Sequence, residues 1–375
     1  MMSSNNTIRM CAAGSGKTWG ICNNALSIVD KHTKRVLITT YTNNGVDTVN
    51  AEIAKQNHGI GSSKIVVRSW FQFLISELIK PYQSYITGIN SLKSFDFSDS
   101  YGKVNYEKKG TLGRYISNSS YVKKDYASEL AVYLNKASNG LIIRRLEEIY
   151  SHIYIDEFQD MAGYDIEIIK MLFNSSAVVV CVGDNKQATY TTHNAKKNKG
   201  QAGRNLWDFC AYSQSQGLAI INESMESRRF NNNICAFANN VYPNEKNATT
   251  CMTEVSGHDG VFLIEQSNVS LYRDYFTPVV LKYDKKTDVG GGVSLNFGQC
   301  KGMTFNRVLI YPNNPLTDFL KGKDLGSPEK YYVAVTRPRY SLAIVVDKFP
   351  RTTTFELVHI VLGDYRVQAL RFIAE

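Results

Sequence analysis

Met10-Cys-Ala-Ala-Gly-Ser-Gly-Lys-Thr18 is the stretch on which the reading of this chain turns. Glycines on either side of a serine, followed by Lys-Thr, form a loop whose backbone N–H groups can wrap phosphate. Ala12, Ala13, Gly14, Ser15 and Gly16 would supply the wrap, Lys17 would reach the terminal phosphates, and Thr18 would offer a hydroxyl to Mg²⁺. The context suits this reading. Ile8–Cys11 can be a buried strand, and Trp19–His32 reads as a helix. Cys11 stands where the general pattern has glycine, so the match is loose and needs a second element to support it.

Outward from the loop, apolar runs of strand length alternate with helical patterns. Val36–Thr40 is followed by a helix over about Gly45–Asn57. Lys64–Arg68 is followed by a helix over Phe71–Lys80 with Phe71, Leu74, Ile75 and Leu78 on its apolar face. Residues from about 86 to 120 break the alternation and are rich in Ser, Tyr, Asn, Gly and Lys, the core of an insertion around 86-150. Helical periodicity returns over Tyr126–Leu134 and Leu141–Tyr150. Strands at His152–Ile155 and Ala177–Val182 then flank a helix over Tyr164–Phe173. Near-continuous apolar strands in a βα series imply a parallel sheet covered on both faces.

A second series starts near Gly217, with strands at Leu218–Ile221, Gly260–Glu265, Pro278–Leu281, Val293–Phe297, Arg307–Tyr311 and Ser341–Val346. Helices are expected over Asn232–Val241, Glu329–Val335 and the C-terminal residues. The fold class is therefore α/β, with two parallel-sheet domains in tandem, at 1-212 and 213-375.

The bounds set by composition agree. A chain of 375 residues exceeds one core, and it carries 43 Lys+Arg against 34 Asp+Glu, a net charge of +9. Nucleic acid is the natural polyanionic partner of such a protein. The seven cysteines are scattered, with no C-x-x-C, which argues against a disulfide framework or zinc and for a reducing, cytoplasmic compartment. No apolar stretch is long enough to span a bilayer, and Met1–Thr7 is polar, so neither a membrane nor a secretory signal is expected.

The supporting element is Tyr154-Ile-Asp-Glu-Phe-Gln-Asp160. An apolar strand delivering two acids at its C-terminal end suits Mg²⁺ chemistry beside a phosphate loop. Asp156 would hold the metal opposite Thr18, and Glu157 would polarise an attacking water.

Here the resemblance becomes specific. Asp156–Asp160 resembles motif II of the UvrD/Rep/PcrA-like superfamily 1 DNA helicases, and further motifs follow in order along the chain. Cys11–Thr18 resembles motif I. Thr40-Tyr41-Thr42-Asn43 is similar to motif Ia, which contacts the single strand, and Arg68–Phe71 to the element after it. Val182–Tyr190 resembles motif III, Ser227–Phe230 motif IV, Gly298–Phe305 motif V and Tyr332–Arg339 motif VI. The resemblance implies two RecA-like lobes that hydrolyse ATP with Mg²⁺. Gln187 would sense the γ-phosphate, Arg229 and Arg337 would carry charge to it, and Gly302 would line the nucleotide. Which of Arg228 and Arg229 points inward stays open. It also implies single-stranded DNA as substrate, with RNA the related alternative, contacted by Thr40, Tyr41, Thr42 and Asn43. Trp70 and Tyr190 are expected to stack on bases, and the acid-free stretch 185–207, with Lys186, Lys196, Lys197, Lys199 and Arg204, to track phosphates or remain a solvated loop.

The departures matter too. Only ten residues precede Cys11, leaving no room for the family's adenine-reading glutamine, and Thr304 replaces a motif V glutamate, so looser choice of nucleotide is expected. About seventy residues separate Arg229 from Lys301, without the large insertion of relatives. The expected activity is a compact 3′–5′ helicase or single-strand translocase. The alternative is a nucleotide-gated sensor subunit working with a nuclease or other effector chain, as in anti-phage defence.

Overall fold

The protein is described by a computed structural model covering residues 5–86, 91–98, 107–117, 120–189, 197–201, 203–243 and 245–374. The chain divides into two compact units. One comprises Met1–Met10 with Lys17–Glu223, the other Cys11–Gly16 with Ser224–Glu375.

The first unit contains β1 (Thr7–Cys11), β2 (Arg35–Thr40), β3 (Ile65–Ser69), the short β4 (Phe95–Asp96) and β5 (Val122–Lys123), then β6 (Tyr150–Ile155), β7 (Val178–Gly183) and β8 (Ile220–Ser224). Six of these make one sheet in the order β3-β2-β6-β7-β1-β8. Pairing is parallel from β3 to β1, with Val36 opposite Ile65, Ile38 opposite Tyr154, Ile153 opposite Val179 and Ile8 opposite Cys181. Val36–Ile38, Ile153–Ile155 and Val179–Val182 are buried without alternation, as central strands of a covered parallel sheet require. Helices Lys17–Val29, Asn43–Gln56, Ala127–Ala137, Leu141–Ile149, Tyr164–Phe173 and Leu206–Ser215 connect and cover them. The parallel α/β architecture expected from the sequence is present.

The strand expected to open the second series instead completes the first sheet. Asn6 ties it there: its carbonyl accepts from the Ile220 N–H at 2.9 Å, and its side-chain amide donates to Leu218 O at 2.9 Å. The same amide donates to Phe173 O and its oxygen accepts from the Val179 N–H, both at 2.9 Å. The division between units accordingly falls at Glu223/Ser224 rather than near Ser213.

The second unit has a two-stranded piece, β9 (Glu226–Ser227) with β10 (Thr249–Thr250). Its main sheet contains β11 (Gly260–Glu265), β12 (Val279–Lys282), β13 (Ser294–Asn296), β14 (Phe305–Tyr311), β15 (Pro338–Val346), β16 (Phe355–Leu362) and β17 (Tyr365–Phe372). The order is β13-β12-β14-β15-β11-β17-β16. It is parallel from β13 to β11, and antiparallel at β11/β17 and β17/β16. Strand β11 feeds two cores: Val261 and Leu263 join Phe237, Val333 and Phe372 on one side, while Phe262 and Ile264 join Tyr272 and Leu309 on the other. The expected C-terminal helix is a hairpin. Leu362 pairs with Tyr365 across a Gly363-Asp364 loop, with Gly363 at φ +63°, and a two-residue loop with glycine first is a hairpin signature. Ile360, Leu362, Val367 and Ala369 bury one face of it, at about 1.5–3 kcal/mol for each larger side chain.

Candidate nucleotide and strand-binding site

The C-terminal ends of β1, β6 and β7, three neighbours in one parallel sheet, bring the phosphate-loop lysine and the acids into contact. Ligands of open α/β sheets bind at this edge, because loops and helix N-termini converge there. The loop after β1 turns on Gly14 and Gly16 at φ +75° and +84°, conformations that cost a side-chain-bearing residue, and Lys17 then starts the helix. By contacts Cys11–Gly16 groups with the second unit: the Ala12 N–H donates to Ser224 O and the Arg228 N–H to Gly14 O, both at 2.9 Å.

Thr18 Oγ1 donates to Asp156 Oδ2 at 3.0 Å, and Asp156 Oδ1 accepts from the Glu157 N–H at 3.0 Å. Burial pushes the Asp156 carboxyl up to about 6 and the neighbouring Glu157 charge adds to this, while Lys17 and the Thr18 bond pull it down. Lys17 Nζ lies 3.9 Å from Asp184 Oδ2, which also accepts from Gln187 Nε2 at 2.6 Å. Asp184 was not singled out by the sequence reading, although an acid directly after the Val182-Gly183 strand end was visible there.

Gln159 was likewise missed. It is wholly buried, its oxygen accepts from the Asp184 N–H at 2.9 Å, and its amide donates to Glu157 Oε2. It therefore links the β6 and β7 loops. Glu157 itself sits in the left-handed region, at φ +55°. That conformation disfavours non-glycine residues, and such strain gathers at functional sites.

These residues fit a magnesium nucleotide. Thr18 and Asp156 are hard oxygen donors, and Mg²⁺ typically takes one or two carboxylates with phosphate and water oxygens completing the set. Ser15 Oγ is buried in the loop without a hydrogen-bond partner, a donor suited to phosphate oxygen.

Arg229, Arg337 and Gly302 belong to the second unit. Arg337 is 1% exposed, its guanidinium donating to Val333 O at 2.7 Å, Met303 O at 3.2 Å and Thr336 Oγ1 at 3.1 Å. Arg229 Nη1 donates to Thr336 O at 3.2 Å, whereas Arg228 is exposed, so Arg229 is the inward member of that pair. Gly302 is an exposed turn residue at φ +83°.

On the strand side the expectations divide. Tyr41 is half-buried and Asn43 exposed, and Thr42 caps the helix Asn43–Gln56, accepting from the Gly45 N–H at 3.0 Å. Thr40 is buried beneath Gly45 and offers no surface. Trp70, expected to stack on a base, is instead wholly buried, its indole donating to Asp165 Oδ1 at 2.7 Å. The cause is local. Trp70 starts the helix, and Trp70, Phe73, Leu74, Glu77 and Leu78 recur at the i, i+3, i+4 spacing of one buried face, so the indole belongs to that face. Phe71 is left half-exposed. Tyr190 and Lys196 lie outside the described residues. Lys186 is buried, and the exposed Lys197 lies 3.7 Å from Glu167.

The family model of the UvrD/REP helicase N-terminal domain matches residues 73–201. The chain is 24% identical over 241 residues to the ATP-dependent DNA helicase Rep of Buchnera aphidicola subsp. Schizaphis graminum (strain Sg), a match taking in 50% of this chain and 36% of that protein. The chain thus spans well under two thirds of this relative's length. Among solved structures, it is similar to Arterivirus nonstructural protein 10 (helicase) in complex with DNA, at TM-score 0.46 and 14% identity, covering 93% of this chain and 62% of that one. A crystal structure of the same Arterivirus protein gives TM-score 0.45 and 16% identity, over 92% and 60%. Motif order, a parallel α/β core with the phosphate-loop lysine beside the motif II and III acids, and the match over residues 73–201 together make this chain similar to the UvrD/Rep helicases.

Proposed function

We propose that the chain is an ATP-dependent single-stranded DNA translocase, acting as a 3′–5′ DNA helicase. The observation that carries this reading is the convergence of Lys17, Thr18, Asp156, Glu157, Asp184 and Gln187 at one sheet edge, with Thr18 bonded to Asp156 at 3.0 Å. Phosphoryl transfer to water needs positioning and charge neutralisation more than covalent help. Bound Mg²⁺ would neutralise phosphate charge, held by Thr18 and Asp156. Lys17 exchanges Asp184 for phosphate oxygens. Glu157, held by Gln159, orients and accepts a proton from the attacking water. Gln187 reports the γ-phosphate to the strand-binding loops, and Arg229 and Arg337 bring positive charge to it. Coupling to the strand runs through Tyr41 and Asn43, which follow β2 beside the β6 strand of Asp156.

The test is strand displacement by the purified protein on duplexes with a 3′ or a 5′ single-stranded tail. ATP-dependent displacement of the 3′-tailed substrate alone supports the proposal. Displacement only from the 5′ tail overturns the polarity, and none from either reduces the proposal to translocation.

A further inference from the structure

The insertion brings a phenylalanine pair against the loop that follows β2. Phe71 lies 6.3 Å from Tyr41, 5.4 Å from Phe95 and 5.8 Å from Phe97 between ring centroids, and Phe95 lies 5.9 Å from Phe97. The last three contacts are edge-to-face, an arrangement that fixes ring orientation. Burial is graded along the cluster: Phe95 is buried, Tyr41 and Phe71 are half-buried, and Phe97 is 59% exposed. Pairing of β4 with β5, with Phe95 opposite Val122, holds the cluster's base. A cation flanks it: Lys124 Nζ lies 6.0 Å from the Phe71 ring centre. Asp96 is turned into its own loop, accepting from the Ser98 N–H at 2.9 Å.

An exposed phenylalanine held by buried neighbours has lost its freedom without gaining burial, which costs stability unless a ligand covers the ring. We propose that Phe97, backed by Phe71 and Phe95, is a stacking site for an unpaired base, so that the insertion extends the strand-binding track beyond Tyr41. The proposal rests on the strand-binding reading above. An aromatic face with a lysine beside it suits a base together with its phosphate, because stacking tolerates any base and the lysine neutralises the backbone. Sequence reading left 86–120 as an insertion because Phe95 and Phe97 show no helical period there.

The experiment measures affinity for oligo-dT, oligo-U and an abasic oligomer of equal length, using the full chain, Phe97→Ala, Phe97→Leu and Phe97→Trp. Phe97→Ala and Phe97→Leu should weaken oligo-dT binding by about tenfold or more, with unchanged melting temperature and unstimulated ATPase. Both should bind the abasic oligomer as the unaltered chain does. Phe97→Trp should keep affinity, and its added fluorescence should be quenched by base-bearing strands. A matching loss on oligo-U places both nucleic acids at the site, and a loss on oligo-dT alone restricts it to DNA. If the unaltered chain binds oligo-dT and Phe97→Ala binds it equally, the stacking site is refuted while the wider reading stands. If the unaltered chain binds no strand, both fall.

Discussion

Glu157 carries the sharpest residue-scale expectation. Its carboxylate is placed by a left-handed backbone and by the Gln159 amide, so its position is stabilised at the expense of local strain. Glu157→Gln should cut ATP turnover by about 10²-fold or more while nucleotide binding persists, as parallel binding and steady-state measurements would show. Gln159→Ala should lower kcat with little change in nucleotide affinity, because it acts through Glu157 and Asp184. Trp70 gives the opposite kind of prediction. As a wholly buried indole bonded to Asp165, its replacement by alanine should cost about 3–5 kcal/mol of stability. Chemical denaturation would detect this, and strand affinity measured well below the melting temperature should not move specifically. The sequence showed an aromatic after a strand end. The face taken as apolar, Phe71, Leu74, Ile75 and Leu78, was one position away from the buried face, which begins at Trp70.

Among the elements, the parallel strands were the most legible, because a strand covered on both faces must be apolar throughout. Val36–Thr40 and Gly260–Glu265 needed no more than that. The hairpin Phe355–Phe372 was not legible as such: its buried residues on β17 are interrupted by Arg366, Gln368 and Arg371, and the Gly363-Asp364 turn was the overlooked clue. Asn6, a single buried amide, decides which sheet receives β8, and no periodicity reports such a bond.

One loop offers a pH test. His258 is stacked between Phe262 at 4.2 Å and Phe276 at 4.1 Å, with Nε2 2.8 Å from Tyr272 Oη. Burial lowers its pKa from 6.5 to about 3, and the Arg307 charge acts in the same direction. Between these values the unfolded chain binds more protons. The neutral imidazole therefore contributes full stability above about pH 6.5, and this is lost as pH falls towards 3, at up to about 1.4 kcal/mol per pH unit. Denaturation curves across that window should be flatter for His258→Phe than for the unaltered chain.

At the scale of the whole molecule, residues given roles in the proposed function are found in both units. The first holds Lys17, Thr18, Asp156 and Glu157, and the second holds Arg229 and Arg337. Most of the motifs follow strand ends, where parallel sheets place their functional loops, whereas motif VI runs from the helix Glu329–Val335 into the start of β15. Arg229→Ala should reduce turnover by about 10³-fold or more if it acts on the γ-phosphate, and Arg229→Lys should restore only part of it, since lysine lacks the planar fork. Arg337→Ala should also destabilise the second unit, because its guanidinium holds the Met303 and Val333 carbonyls, so its kinetics need a melting curve beside them. The most direct test of the account is steady-state ATP hydrolysis with and without oligo-dT, for the unaltered chain, Lys17→Ala and Glu157→Gln. The account predicts turnover that rises strongly with the strand and is silent in both variants. Turnover indifferent to the strand, or surviving in Glu157→Gln, would contradict it.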